Sequence, residues 1–124
     1  MKLTTVLVSA SLCIASLSFS HNANADAQLA ASLCEYVAAD DKSRLRKKLK
    51  SSRVKIRNIY DAILCNGNNL LRHAIASNAA GTGEYIVKNL PKKVLKDGAD
   101  ISWAEGNGHS GSPLIAVIKA RAGL

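Results

Sequence analysis

No Cys-x-x-Cys pair occurs in this sequence, and its three cysteines and three histidines are not spaced as a metal-ligand or catalytic set. The first absence excludes a thioredoxin-type redox centre. The second removes a structural zinc site, because the four candidate ligands beyond the leader, Cys34, Cys65, His73 and His109, lie at scattered positions without the paired spacing such a site uses. No metal and no cofactor are therefore expected. No run reaches the roughly 20 strongly apolar residues that span a bilayer. No stretch alternates apolar with polar residues beyond the three-residue hint Val54-Lys55-Ile56, so strands are not expected. Aromatic residues are few, with one Trp, one Phe and three Tyr, so the core must rest on Leu, Ile, Val and Ala.

What is present begins with an export signal: Lys2, an apolar run from Leu3 to Leu17 interrupted by Thr and Ser, then a polar stretch ending in Ala23-Asn24-Ala25. The pattern predicts a secretory signal peptide over 1–25, cleaved after Ala25, and a periplasmic or secreted protein. Leu12 before Cys13 does not fit lipoprotein processing, which requires a small residue there. Residues 26–124 then form a single small domain, and since Lys2 is the only charge removed, +7 remains of the chain's +8. Two cysteines survive, Cys34 and Cys65. In an oxidising compartment they are expected to form a disulfide closing a loop of about 30 residues, worth roughly 3–4 kcal/mol.

Apolar spacing predicts an all-α domain. Ala30, Leu33, Cys34, Val37 and Ala38 mark a first helix over 27–39, with Cys34 on its buried stripe. Asp40 and Asp41 suit the start of a second helix running to about Lys50. Ile56, Ile59, Tyr60 and Ile63 suggest a third, reaching Cys65 and ended by Asn66-Gly67 at a C-cap. Asn68 or Asn69 caps a fourth through Ile75, Thr82 opens a fifth ended by Pro91, and a further turn covers Lys92 to Leu95. Trp103 to Gly111 reads as a loop, and Ser112-Pro113 starts the last helix. Setting Asn69 to Ala74 beside Ser112 to Ala116 suggests a weak repeat, but Leu71 and Leu114 lie 43 residues apart against about 33 for ankyrin. Two architectures stay open: a small irregular helical bundle, or a degenerate ankyrin-like helical stack, each with one disulfide.

Leu33-Cys34, Val37-Ala38-Ala39, Lys42, Leu45-Arg46-Lys47, Ile59-Tyr60 and Cys65-Asn66 together carry a family resemblance. The chain resembles a domain family of unknown function found in small secreted proteins of gammaproteobacteria. The likeness rests on a cysteine pair framing a basic segment, and it implies an exported protein without adding an activity.

That basic segment is the main functional candidate. Lys42, Arg44, Arg46, Lys47, Lys48, Lys50, Arg53, Lys55 and Arg57 place nine positive charges in sixteen positions with no acidic residue between them. On a helix from Asp41, Leu45 and Leu49 form a narrow stripe, with Lys42, Arg46 and Lys50 on one flank and Arg44, Lys47 and Lys48 on the other. The competing reading is an ordinary solvated charged face. As a site, the ridge suits an acidic protein or an anionic envelope component. Nucleic acid is disfavoured, because single-strand binders interleave aromatic rings with the positives and none occurs here before Tyr60. Gly106-Asn107-Gly108-His109-Ser110-Gly111 matches a dinucleotide fingerprint in letters alone, since the motif works only between a strand and a helix. The expected function is a non-catalytic binding domain. The alternative is a small hydrolase built from His73, His109 and dispersed carboxylates such as Asp61, Glu84 or Glu105, with Trp103 read as a packing residue.

Overall fold

Short polar side chains start several helices by taking backbone N–H groups that have no intrahelical acceptor. Asp41 accepts from the Arg44 amide at 3.0 Å, Asn69 from the Arg72 amide at 2.8 Å and Ser112 from the Leu114 amide at 3.3 Å. These caps open α2 (Lys42–Ser51), α4 (Leu70–Ala76) and α8 (Pro113–Ala122). Pro113 fits the first turn of α8, where its missing N–H costs nothing, and Gly123 ends that helix in the left-handed region at φ 76°. The computed structural model describes the backbone from His21 and the side chains from Asp26 through to Leu124. The expected leader and its cleavage signal fall outside the residues whose side chains are described. The remaining elements are α1 (His21–Ala38), α3 (Ile56–Ile59) with a following 3₁₀ turn (Tyr60–Ala62), α5 (Ala80–Asn89), α6 (Lys92–Leu95) and α7 (Ala99–Gly106). The domain is all-α: among the described residues there is no strand, only an isolated bridge between Cys65 and Asn68. No described helix is long and apolar enough to cross a membrane.

Three helical hairpins, α1–α2, α4–α5 and α7–α8, stack in order. The first helices form one row, α1 on α4 on α7, and the second helices another, α2 on α5 on α8. Each hairpin turn holds a residue at positive φ, namely Asp40, Asn78 and Gly108. The suggested pairing of Asn69–Ala74 with Ser112–Ala116 is thereby corrected. It set a first-row helix beside a second-row one, whereas the structure pairs α4 with α7 and α5 with α8. One core runs between the rows, including Leu33 and Val37 of α1, Leu45 and Leu49 of α2, Leu71 and Ile75 of α4, Ile86 of α5, and Leu114 and Ile118 of α8. At Gly83 a side chain would collide with Leu114, so the missing Cβ is what lets α5 and α8 approach so closely.

Four local expectations are revised. The third helix stops at Ala62 instead of reaching Cys65. The chain then extends, and Asn66 and Gly67, at φ 52° and 83°, form a two-residue turn between Cys65 and Asn68 rather than a C-cap. Asp40 does not share the start of α2: its carboxylate accepts from the Thr82 amide at 2.8 Å, capping the first turn of α5 from 42 residues away. Thr82 therefore lies inside α5, buried, with its hydroxyl donating to the Val37 carbonyl at 3.2 Å. Trp103 belongs to α7, not to a loop, because Asp100 on the buried face of that helix is paired across to α4.

The expected disulfide is present. Cys34 and Cys65 are joined with Cα atoms 5.7 Å apart, tying α1 to the Asn66-Gly67 turn. Cys34 is half-buried against the core and Cys65 is buried.

Candidate functional site

Leu45 and Leu49 are buried as the stripe predicts, which turns the rest of α2 outward. Of the nine ridge cations all are exposed except Lys48, which is half-buried. The structure divides them. Arg46, Lys50, Lys55 and Arg57 border a cleft of about 520 Å³ between α2, α3, α5 and the end of α8. Lys42, Arg44, Lys47, Lys48 and Arg53 lie away from it, and Arg44 pairs with Asp41 at 3.3 Å.

Two cations from distant sequence complete the cleft. Lys88 comes from α5 and Arg121 from the last turn of α8, while Leu49, Val54, Ile56, Leu90 and Pro91 supply apolar wall and Tyr85 an aromatic ring. The Arg121 guanidinium donates from Nη2 to the Leu90 carbonyl at 3.1 Å, which fixes its plane, and its Nε is buried without an acceptor. Among the described residues no carboxylate lines the cleft. The nearest compensation is Glu84, whose Oε1 accepts from Lys88 Nζ at 2.7 Å. That hydrogen bond first, and the ammonium charge second, hold the Glu84 carboxyl below its ordinary range.

The first row carries a different constellation. Asp100, 8% exposed, accepts from Arg72 Nε at 2.8 Å and from Asn69 Nδ2 at 3.1 Å. Arg72 lies over the Trp103 ring at 5.6 Å, and the His109 ring stacks on the same tryptophan at 5.6 Å. Trp103 is thus a packing residue with polar neighbours on an α4–α7 seam. Beneath the seam the Tyr60 hydroxyl is buried without a hydrogen-bond partner, and burial, with the Asp100 charge adding to it, pushes its ionisation far above the ordinary range.

The residues of the enzymatic alternative are dispersed. His73 Nε2 lies 3.0 Å from the Cys34 carbonyl, His109 is on the tryptophan, Glu84 is on Lys88, and Asp61 and Glu105 are exposed. His73 does share a shallow depression with Glu35, beside the disulfide and the exposed Leu64. Nothing local to Glu35 in the sequence marks its proximity to His73. No group of three or more metal-ligating side chains occurs among the described residues. The Gly106–Gly111 segment sits at the end of α7 and in the following turn, with no strand before it.

Residues 33–96 match the family described as "Protein of unknown function (DUF3718)". The chain belongs to this family. No curated protein and no solved structure matches the chain. The DUF3718 segment takes in the end of α1, all of α2 to α6 and both disulfide cysteines, and it supplies every cation of the cleft except Arg121.

Proposed function

We propose that this DUF3718 member is an exported, non-catalytic binding domain, working in the periplasm, that takes an anionic partner into the cleft between α2, α3, α5 and α8. The observation that carries the reading is the gathering of Arg46, Lys50, Lys55, Arg57, Lys88 and Arg121 around one concavity whose lining holds no carboxylate. Charges that merely keep a surface solvated have no reason to converge from four separate elements, and convergence of one sign in a concave wall focuses the field on an anion. The disulfide supports the oxidising address. The hairpin stack supports a binding role in the way helical repeats do, as a rigid frame presenting a surface.

The test compares two charge-neutralised proteins in capture from periplasmic extract over a salt series. Arg46→Gln, Lys50→Gln and Arg57→Gln together remove the cleft cations of α2 and α3; Arg44→Gln, Lys47→Gln and Lys48→Gln remove as many from the ridge outside it. Acidic partners should be lost from the first protein and kept by the second, with native capture weakening as salt rises. Equal capture by both at the same salt tolerance would leave the positives as a solvated face.

A further inference from the structure

The proposed cleft differs from a general basic surface in three respects. Its charge is concentrated: with Lys88 compensated by Glu84, five cations border about 520 Å³ without a carboxylate partner. Three of its six cations are arginines, whose planar forks match phosphate oxygens two at a time, and one of them, Arg121, is already fixed in plane by the Leu90 carbonyl. Its wall is not uniformly polar, since Val54, Tyr85 and Pro91 stand half-buried within it.

An acidic peptide brings one charge per residue and spreads them along its backbone. A phosphate brings nearly two charges and three acceptor oxygens on a single centre. Several cations around one compact concavity match the concentrated anion better than the spread one. The volume is that of a small-molecule site, where apolar wall and a few directed polar groups act together. We infer that the cleft between α2, α3, α5 and α8 binds a pyrophosphate group carried on an apolar chain or ring, with Arg46, Arg57 and Arg121 taking the phosphate oxygens and Val54, Tyr85 and Pro91 the apolar part. This rests on the cleft being the binding site; it adds what chemistry the ligand has. The same group reaches such a site either free in solution or on a lipid, and the cleft chemistry is common to both.

The full mature protein, with its disulfide intact, would be titrated calorimetrically with inorganic pyrophosphate, with citrate as a carboxylate of comparable charge, and with farnesyl diphosphate. Pyrophosphate should bind at least about tenfold more tightly than citrate, and farnesyl diphosphate more tightly again. Vesicles of neutral lipid doped with the farnesyl compound should also retain the protein if the lipid-borne form is accepted; retention absent alongside tight solution binding assigns the soluble form. Arg46→Lys with Arg57→Lys keeps the charge but removes the forks, and should erase most of the preference over citrate while leaving the melting temperature unchanged. Citrate binding as tightly as pyrophosphate overturns the phosphate assignment and leaves an unselective anion cleft, so the wider reading survives. Undiminished preference in the double Lys variant overturns the arginine roles. Absence of binding by all three probes overturns the ligand class, and whether the cleft binds anything is then decided separately by the capture comparison.

Discussion

On the first row of helices Arg72 donates to Asp100 and lies over Trp103, whereas on the second-row side Arg46 and Arg57 border a cleft with no carboxylate in its wall. The same side chain is tied into the frame in one place and left available in the other. The difference lies in what faces it: Asp100 is nearly buried, and its charge is offset by Arg72 and Asn69, which both donate to its Oδ1. The tied network fixes how the α4 and α7 hairpins meet. Stability should therefore respond to changes in the first row, and binding to changes in the cleft.

The sharpest way to break that division is at the disulfide, which also belongs to the first-row side. Cys34→Ser with Cys65→Ser should lower unfolding free energy by about 3–4 kcal/mol, as expected for a closed loop of this length. Chemical denaturation of the double variant against the native protein measures it, and a loss below about 1 kcal/mol would mean the stack holds its first hairpin without the bridge.

Asp100→Ala comes next. It strands the Arg72 guanidinium and the Asn69 amide beside a nearly buried position, and should cost about 2 kcal/mol, less than for a fully buried pair because Arg72 is partly solvated. Anion binding in the cleft should not change. A variant that folds normally but loses binding would place function in the first row after all.

Much of this division follows local chemistry, and the rest could not. Asp41, Asn69, Ser112-Pro113 and Gly123 act on the nearest turn of backbone, so the sequence places each of these helix ends to within a residue, leaving only Asp40 against Asp41 and Asn68 against Asn69 for the structure to decide. Leu45 and Leu49 show the buried stripe of α2, and the flank holding Arg46 and Lys50 is legible with them. The cleft itself is not, because Tyr85, Lys88 and Arg121 arrive from α5 and α8 with no pattern linking them to α2. Helix α7 hid for the opposite reason: its buried face carries Asp100, which looks like a surface residue until Arg72 is seen opposite. Asp40 capping α5 across 42 residues is likewise a tertiary fact.

The seam between α5 and α8 offers a third test, since both helices contribute to the cleft. Gly83→Ala places a methyl group against Leu114 and should destabilise by about 1–3 kcal/mol through overpacking. As α5 carries Lys88 and α8 carries Arg121, the same change should weaken anion binding, the one case where the two properties move together. By contrast Arg46→Gln with Arg57→Gln should leave stability within about 0.5 kcal/mol of native, as both side chains are exposed. Thermal melts run beside the binding titrations would separate the two outcomes.

The smallest effect concerns Glu84, the acid that pairs with the cleft cation Lys88. Its lowered pKa means the Lys88 pair contributes above the ordinary carboxylate range and is lost as pH falls through the depressed value. Both side chains are well exposed, so melting should barely change over that interval. Binding should register it more clearly. Glu84→Gln releases Lys88 to the cleft and should tighten pyrophosphate binding at neutral pH by about two- to threefold, the scale of an exposed ion pair. Lys88→Gln should weaken it by a similar factor. As pH is lowered and the native carboxyl becomes protonated, the difference between Glu84→Gln and native should shrink to nothing, because Gln is then matched by a neutral acid in the same place. Identical binding by the two proteins at neutral pH would show that Lys88 stays with Glu84 in the bound state, reducing the working cations to Arg46, Lys50, Lys55, Arg57 and Arg121.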